Sequence, residues 1–370
     1  MTGLEKYSKL LKERLDIGAL ATFVPNKNVP VYDWFYYKEG FSRELVMMLA
    51  GHFRLKPGSF VLDPFCGSGT TLLACREMGI NSYGFDVLPI SVFASQVKTG
   101  GYSREELKKW FSFVFRQKFS KRENCMPSEF HRYFHPRSMD DITFFRGVAG
   151  MIEDPDSRGL FMLGLINTAM KVSYVWKDGG VLKIRKHPVP PFSKIYYRTM
   201  RRMVHEASSF SGTGRAVIHL QDARRLMLPD ECIDAVITSP PYLNNIDYTQ
   251  VYAIENWFAG RARPAVRSCI GLGDEIAEGG ELYTAYFRDM ELAIKEMFRV
   301  LKPGGRAAIV VGNAYMQERV AECDILLAEI AEKSGFRANE IVVLNKRFAL
   351  RNRTEKVGVL RESMVMLEKP

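Results

Sequence analysis

The stretch Ser59-Phe60-Val61-Leu62-Asp63-Pro64-Phe65-Cys66-Gly67-Ser68-Gly69-Thr70-Thr71 decides the fold. Its apolar run reads as a buried strand that meets a turn containing Gly67 and Gly69. A helical pattern follows in Leu72, Leu73, Cys75 and Met78 and stops at Gly79. A second strand, Ser82 to Val87, comes next and carries Asp86 near its end. Strand, helix and strand in such close succession form a β-α-β unit, so the sheet is parallel at this point.

Downstream, the pattern changes between Gly100 and Gly212. Tyr102 to Phe119, Met139 to Glu153 and Gly159 to Tyr174 read as helices, and strand signals are few. Strands resume at Ala216 to Leu220 and Ile233 to Ile237, and again at Ala307 to Val311 after the turn Val300-Leu301-Lys302-Pro303-Gly304-Gly305-Arg306. A helix over Arg319 to Lys333 precedes two closing strands, Ile341 to Leu344 and Ser363 to Leu367. The sum is an α/β fold: a Rossmann-like, doubly wound sheet of about seven strands with a mostly helical insertion. Residues 1–27 are expected to form an N-terminal helix, 28–100 and 212–370 the main domain, and 101–211 the insertion. Ligands bind such sheets at the carboxyl ends of the strands.

The 370 residues are 46% hydrophobic and 25% charged, an ordinary globular composition. No apolar run approaches the roughly 20 residues a membrane span needs. The charged, amphipathic start, Met1 to Leu15, is unlike a signal peptide, and the expected location is cytoplasmic with no membrane partner. Cys66, Cys75, Cys125, Cys232, Cys269 and Cys323 form no C-x-x-C pair, so neither a disulfide framework nor a metal site is expected. The net charge of +10 implies a polyanionic partner, nucleic acid above all.

At the Asp63–Thr70 turn the glycines let the backbone approach a ligand. The start of the following helix offers free N–H groups to a carboxylate. Asp86 is placed to accept hydrogen bonds from two ribose hydroxyls, and the absence of G-x-G-x-x-G argues against a nicotinamide cofactor.

The string Asp63-Pro64-Phe65-Cys66-Gly67-Ser68-Gly69-Thr70 resembles the first motif of the amino-methyltransferases, Asp-Pro-Phe-x-Gly-Ser-Gly-Thr. The resemblance implies S-adenosylmethionine as cofactor. Asp63, Phe65, Gly67, Ser68, Gly69, Thr70, Asp86 and Val87 would form its site, with Asp222 and Ala223 beside the adenine. Val300 to Arg306 is similar to the turn before the fifth strand of many methyltransferases. Tyr36-Tyr37-Lys38-Glu39-Gly40-Phe41-Ser42 resembles the segment lining the methionine side. The matches cover roughly Asn28 to Gly100 and Gly214 to Lys369.

Thr238-Ser239-Pro240-Pro241-Tyr242, at a strand end, resembles the catalytic motif of the same family. Methylating an aryl amine requires that the nitrogen lone pair be localised and aimed. The Ser239 hydroxyl and the Pro240 carbonyl are candidate acceptors for the amine protons. Pro240 and Pro241 stiffen the turn, and Tyr242 can stack on a flipped base. Serine at the first position resembles the cytosine-N4 enzymes, and aspartate or asparagine those acting on adenine N6 or guanine N2. No Pro-Cys pair is present for cytosine-C5 chemistry, and Cys66 lies in the cofactor turn.

The cofactor motif precedes the catalytic one, an order that resembles tRNA guanine-N2 methyltransferases and archaeal methylase-like proteins. Val181 to Met203 carries Lys183, Arg185, Lys186, Lys194, Arg198, Arg201 and Arg202 with Phe192, Tyr196 and Tyr197 interleaved. Lys183, Arg185, Lys186, Arg198, Arg201 and Arg202 are the candidate nucleic-acid contacts, through phosphate pairing and base stacking. A second basic stretch holds Lys346, Arg347, Arg351, Arg353 and Lys356. The expected substrate is cytosine N4 in RNA, ribosomal RNA first, with a DNA cytosine-N4 or adenine-N6 methyltransferase as the alternative.

Overall fold

The computed structural model describes residues 3–178, 180–243, 246–260, 282–316, 319–351 and 354–370. Its strands are β1 (Leu11–Glu13), β2 (Phe60–Asp63), β3 (Asn81–Asp86), β4 (Val175–Asp178), β5 (Val181–Ile184), β6 (Ala216–Leu220), β7 (Ile233–Thr238), β8 (Leu301–Gly312), β9 (Ala314–Met316), β10 (Arg319–Ala321), β11 (Arg337–Arg351) and β12 (Glu355–Glu368). Eight of them form one sheet, in the order β1-β11-β12-β8-β7-β2-β3-β6. β6, β3, β2, β7 and β8 are mutually parallel, while β12 runs antiparallel to both β8 and β11. From β2 the chain winds outward through β3 to β6, then returns to build β7 and β8 on the other side. The reversal falls between β2 and β7, and Asp63 and Thr238 lie at their carboxyl ends.

Both sheet faces are apolar, and successive residues alternate between two cores. Val61, Ala235, Ile237, Ala308 and Val310 face one core; Leu62, Val236, Ala307, Ile309 and Val311 face the other. The helices, in chain order, are α1 (Gly3–Ser8), α2 (Arg43–His52), α3 (Thr70–Glu77), α4 (Pro89–Lys98), α5 (Arg104–Arg116), α6 (Ser128–His131), α7 (Pro136–Gly150), α8 (Pro155–Lys171), α9 (Phe192–Ser209), α10 (Tyr248–Val251), α11 (Ala253–Phe258), α12 (Leu282–Val300) and α13 (Cys323–Lys333). α2 and α4 cover the first face, and the insertion helices α5, α7, α8 and α9 continue the same core through Phe145, Phe161, Leu165, Tyr196 and Met200. α12 and α13 cover the second through Met290, Ile294, Met297, Ile325 and Leu327.

Several expectations are corrected. The sheet has eight strands rather than about seven, because the N-terminal helix stops at Ser8 and Leu11–Glu13 joins the edge. There the backbone finds partners that a helix would not reach: Ile341 N donates to Leu10 O at 2.8 Å and Arg14 N to Val343 O at 2.9 Å. Short 3-10 turns, Leu15–Ala21 and Val24–Asn28, fill the rest of the segment expected to be helical. α13 begins at Cys323, not Arg319, since Arg319–Ala321 pairs with Ala314–Met316. The closing strands run far beyond their apolar centres, to Arg351 and back from Glu355. The insertion also holds the hairpin β4–β5, whose strands are mostly exposed and carry little apolar alternation.

Candidate active site

A cavity of about 450 Å3 opens at the carboxyl ends of β2, β3, β6 and β7. Of the residues singled out from sequence, Asp63, Phe65, Gly67, Ser68, Thr70, Asp86, Val87, Asp222, Ala223, Ser239, Pro240, Pro241 and Tyr242 line it. Gly69 does not; it shapes the turn, capping α3 with φ +80, and a Cβ there would come within 2.7 Å of the Ser95 hydroxyl. Gly67 has φ +48, and a Cβ there would meet the Tyr37 ring at 2.9 Å.

The two motifs touch. Thr238 Oγ1 donates to Asp63 Oδ1 at 2.7 Å across 175 residues of sequence, and Phe65 N donates to the same oxygen at 3.2 Å. Burial raises the Asp63 carboxyl to about 6, against the opposing effect of these donors. Asp86 sits beneath the glycine turn. Its Oδ2 accepts from Gly67 N at 2.9 Å and its Oδ1 from Leu88 N at 2.8 Å, and burial raises it also to about 6. Each carboxylate oxygen retains acceptor capacity beyond one N–H. Burial likewise pushes the Cys66 thiol well up, so this cysteine is no activated nucleophile.

Asp222 is held in a fork by Arg224, with Nε at 3.0 Å and Nη2 at 2.6 Å, and Arg224 also reaches Asp289 at 3.0 Å. At the catalytic turn the Pro241 carbonyl accepts from the Tyr286 hydroxyl at 3.0 Å. Tyr242 donates its hydroxyl to Glu362 Oε1 at 2.9 Å, and its ring packs on Gly312, where a Cβ would come within 2.8 Å. Asn345 Nδ2 fixes the other Glu362 oxygen at 2.7 Å. The Tyr37–Phe41 segment supplies a further wall. Tyr37 stacks on Tyr252 at 5.4 Å between centroids, and Tyr252 donates to Glu39 at 3.0 Å.

Sequence reasoning missed Tyr248, Asn313, Asn345, Arg361 and Glu362, all of which line the cavity. They sit outside any contiguous motif. Glu362 opposite Gly312 in the β12–β8 register is the one signal, and it is readable only once the strand pairing is known.

The basic stretch divides. Arg198 and Arg201 are exposed on α9 and, with Lys194, Tyr197, Phe115 and Phe145, line a second, open cavity of about 600 Å3. Arg202 instead pairs with Asp33 at 2.5 Å and Glu206 at 3.4 Å, bracing the segment that leads to Tyr37. Phe192 and Tyr196 are core residues, because they repeat at helical spacing on the buried face of α9. Lys183 pairs with Asp178 across the β4–β5 hairpin at 2.6 Å, Arg185 lies 5.6 Å from the Trp176 ring centroid, and Lys186 is exposed. Of the C-terminal cations, Arg353 and the side chain of Arg351 lie outside the described residues, as does Cys269. Among the described residues, no helix is long and apolar enough to cross a membrane, and no group of three or more His, Cys, Asp or Glu could hold a metal ion.

The family model for DNA methylases of the N6/N4 type matches residues 26–90 and 233–370 and passes over the whole of 101–211. Type II methyltransferase M.BsoBI of Geobacillus stearothermophilus is 28% identical, over 99% of this chain and 91% of its own length. Type II methyltransferase M.AvaI of Nostoc is 27% identical, over 88% of this chain and 83% of its own. Among solved structures, TrmN from Thermus thermophilus is 12% identical with a TM-score of 0.35, covering 89% of this chain and 49% of that one. With the family model spanning more than half of its residues, the chain belongs to the DNA methylase family of S-adenosylmethionine-dependent amino-methyltransferases.

Proposed function

We propose that the protein methylates the N4 amine of cytosine in DNA. The observation that carries this reading is the union of the Asp63–Thr70 turn with the Thr238–Tyr242 turn in one cavity, through the Thr238–Asp63 hydrogen bond. The cavity fits the cofactor. It lies in the size range of small-molecule sites, presents the half-buried carboxylate of Asp86, and is cradled by Gly67, where no Cβ fits. Asp86 would take the ribose hydroxyls, the Gly67–Thr70 turn and the start of α3 the methionine carboxylate, and Asp222 with Ala223 the adenine. When bound, S-adenosylmethionine supplies an electrophilic methyl group on sulfur.

The remaining work falls to side chains and backbone of this chain. The Ser239 hydroxyl and Pro240 carbonyl accept the two amine protons, which localises the nitrogen lone pair and orients it. Tyr286 holds the neighbouring Pro241 carbonyl, so the turn keeps its shape. Tyr242, fixed through Glu362 and Asn345, offers a ring on which the extruded base stacks. A strong general base is unnecessary, because the proton leaves after the nitrogen has become cationic.

DNA replaces the ribosomal RNA expected from motif order. The family model that matches both motifs is that of DNA methylases, and the relatives aligned along most of this chain are Type II methyltransferases, which supports DNA over RNA. Ser239 supports cytosine N4 over adenine N6. Arg198, Arg201 and Lys186 are proposed phosphate contacts of the insertion, with Lys183 and Arg185 of the hairpin beside them. The test is transfer of labelled methyl to unmethylated phage DNA and to ribosomal RNA, with mass spectrometry of the product nucleosides. N4-methylcytosine from DNA is the expected product; N6-methyladenine, or label in RNA alone, would reject the assignment.

A further inference from the structure

β11 and β12 pair from Arg337↔Glu368 out to Arg351↔Glu355, but their other sheet neighbours stop early. β8 accompanies β12 only as far as Gly312↔Glu362, and β1 accompanies β11 only over Ile341–Val343. The remainder leaves the sheet as a two-stranded ribbon at the carboxyl end of β8, where the cavity lies. One side of the ribbon is covered. Ala349 and Leu360 are buried, and a Cβ on Gly358 would come within 2.7 Å of Val320. The other side is open: Phe348 is 54% exposed and Val359, directly opposite it, 42%, with Leu350 at 46%. A lone ribbon with an apolar open face is marginal in water and gains from an occupant.

Three observations name the occupant. The root of the ribbon, through Lys346, Arg347, Leu360 and Arg361, is itself wall of the catalytic cavity. The apolar face is flanked by cations, Lys346 at its root, which also pairs with Glu13, and Lys356, whose Nζ lies 4.1 Å from the centre of the Phe348 ring. Phe348 follows Lys346 by two residues on the same strand face, about 7 Å farther out, or about two base-pair steps. An aromatic ring between cations, continuous with a base-accepting cavity, fits nucleobases flanked by phosphates better than a protein surface.

We infer that the ribbon is a wedge in which Phe348 stacks on the bases left in the duplex when the target base enters the cavity. This rests on the reading of that cavity as a site of DNA amine methylation. Phe348 is exposed, so its replacement leaves the core intact. The methylated site is first mapped on phage DNA with the wild-type protein. Phe348→Ala and Phe348→Trp are then assayed on synthetic duplexes carrying that site, either fully paired or with an abasic position opposite the target, where extrusion costs less. Phe348→Ala is expected to slow transfer to the paired duplex by about tenfold or more and to recover most of that loss on the abasic duplex, while Phe348→Trp stays close to wild type. Equal losses on both duplexes, no loss on either, or a change of oligomeric state in sedimentation without a change in rate would overturn the wedge. A wild-type protein that labels no DNA would instead overturn the DNA reading beneath it.

Discussion

Replacing Asp86 with asparagine tests the cofactor geometry most directly. The carboxylate already spends one lone pair of each oxygen on Gly67 N and Leu88 N, at 2.9 and 2.8 Å. Two ribose hydroxyls donating to the remaining sites contribute about 1.5–3 kcal/mol each, together about 3–6 kcal/mol. Asparagine keeps one acceptor oxygen, and its NH2 faces a backbone N–H, so one neutral bond of about 0.5–1.5 kcal/mol is the most that survives. The net loss of about 2–5 kcal/mol corresponds to cofactor binding roughly 30- to 4,000-fold weaker. A pH series supplies a second readout. The Asp86 carboxyl stands near 6 in the ligand-free protein, and hydroxyl donors bind its ionised form. Below pH 6 the ligand must therefore displace a proton, and the dissociation constant should rise about tenfold per pH unit; above 6 it should be flat. In Asp86→Asn this pH dependence should be lost. Calorimetry of the folded variant, confirmed by circular dichroism, decides. Affinity within about threefold of wild type, or a wild-type profile flat from pH 5 to 7, would refute the ribose assignment.

Tyr242→Ala should lower methyl transfer by about 100-fold through lost base stacking and alignment, with cofactor affinity unchanged by calorimetry. Arg198→Ala and Arg201→Ala should each reduce the salt slope of DNA binding by about one, read from titrations across salt concentrations. Arg202→Ala should leave that slope unchanged and lower the melting temperature slightly, because it breaks the partly exposed pair with Asp33. Gly67→Ala forces a left-handed φ on a residue with a Cβ against the Tyr37 ring. It should cost about 1–2 kcal/mol from the backbone alone and weaken cofactor binding in the same calorimetric assay.

The corrections have a common origin. The Tyr242–Glu362–Asn345 chain was invisible in sequence because each member belongs to a different strand or loop, and the β12–β8 register alone sets Glu362 beside Gly312. Arg202 looked like Arg198, one turn away on the same face of α9, yet Asp33, distant in sequence, and Glu206 reach it and pair with it. The polar segment Leu11–Glu13 carries no strand pattern of its own; it is extended because the edge of β11 offers its backbone partners.

What the sequence alone determined was local: a strand, a glycine turn and a helix at Asp63–Thr70, an acidic strand end at Asp86, and a rigid proline turn at Ser239–Tyr242. These are short-range features, and steric limits on glycine and proline dictate their backbone wherever they stand. Tertiary structure decided what they meet. Pairing of β2 with β7 brings Thr238 within 2.7 Å of Asp63 although 175 residues separate them. That adjacency depends on the order in which parallel strands wind, and winding order is set by the packing of helices on both faces rather than by any local run of residues.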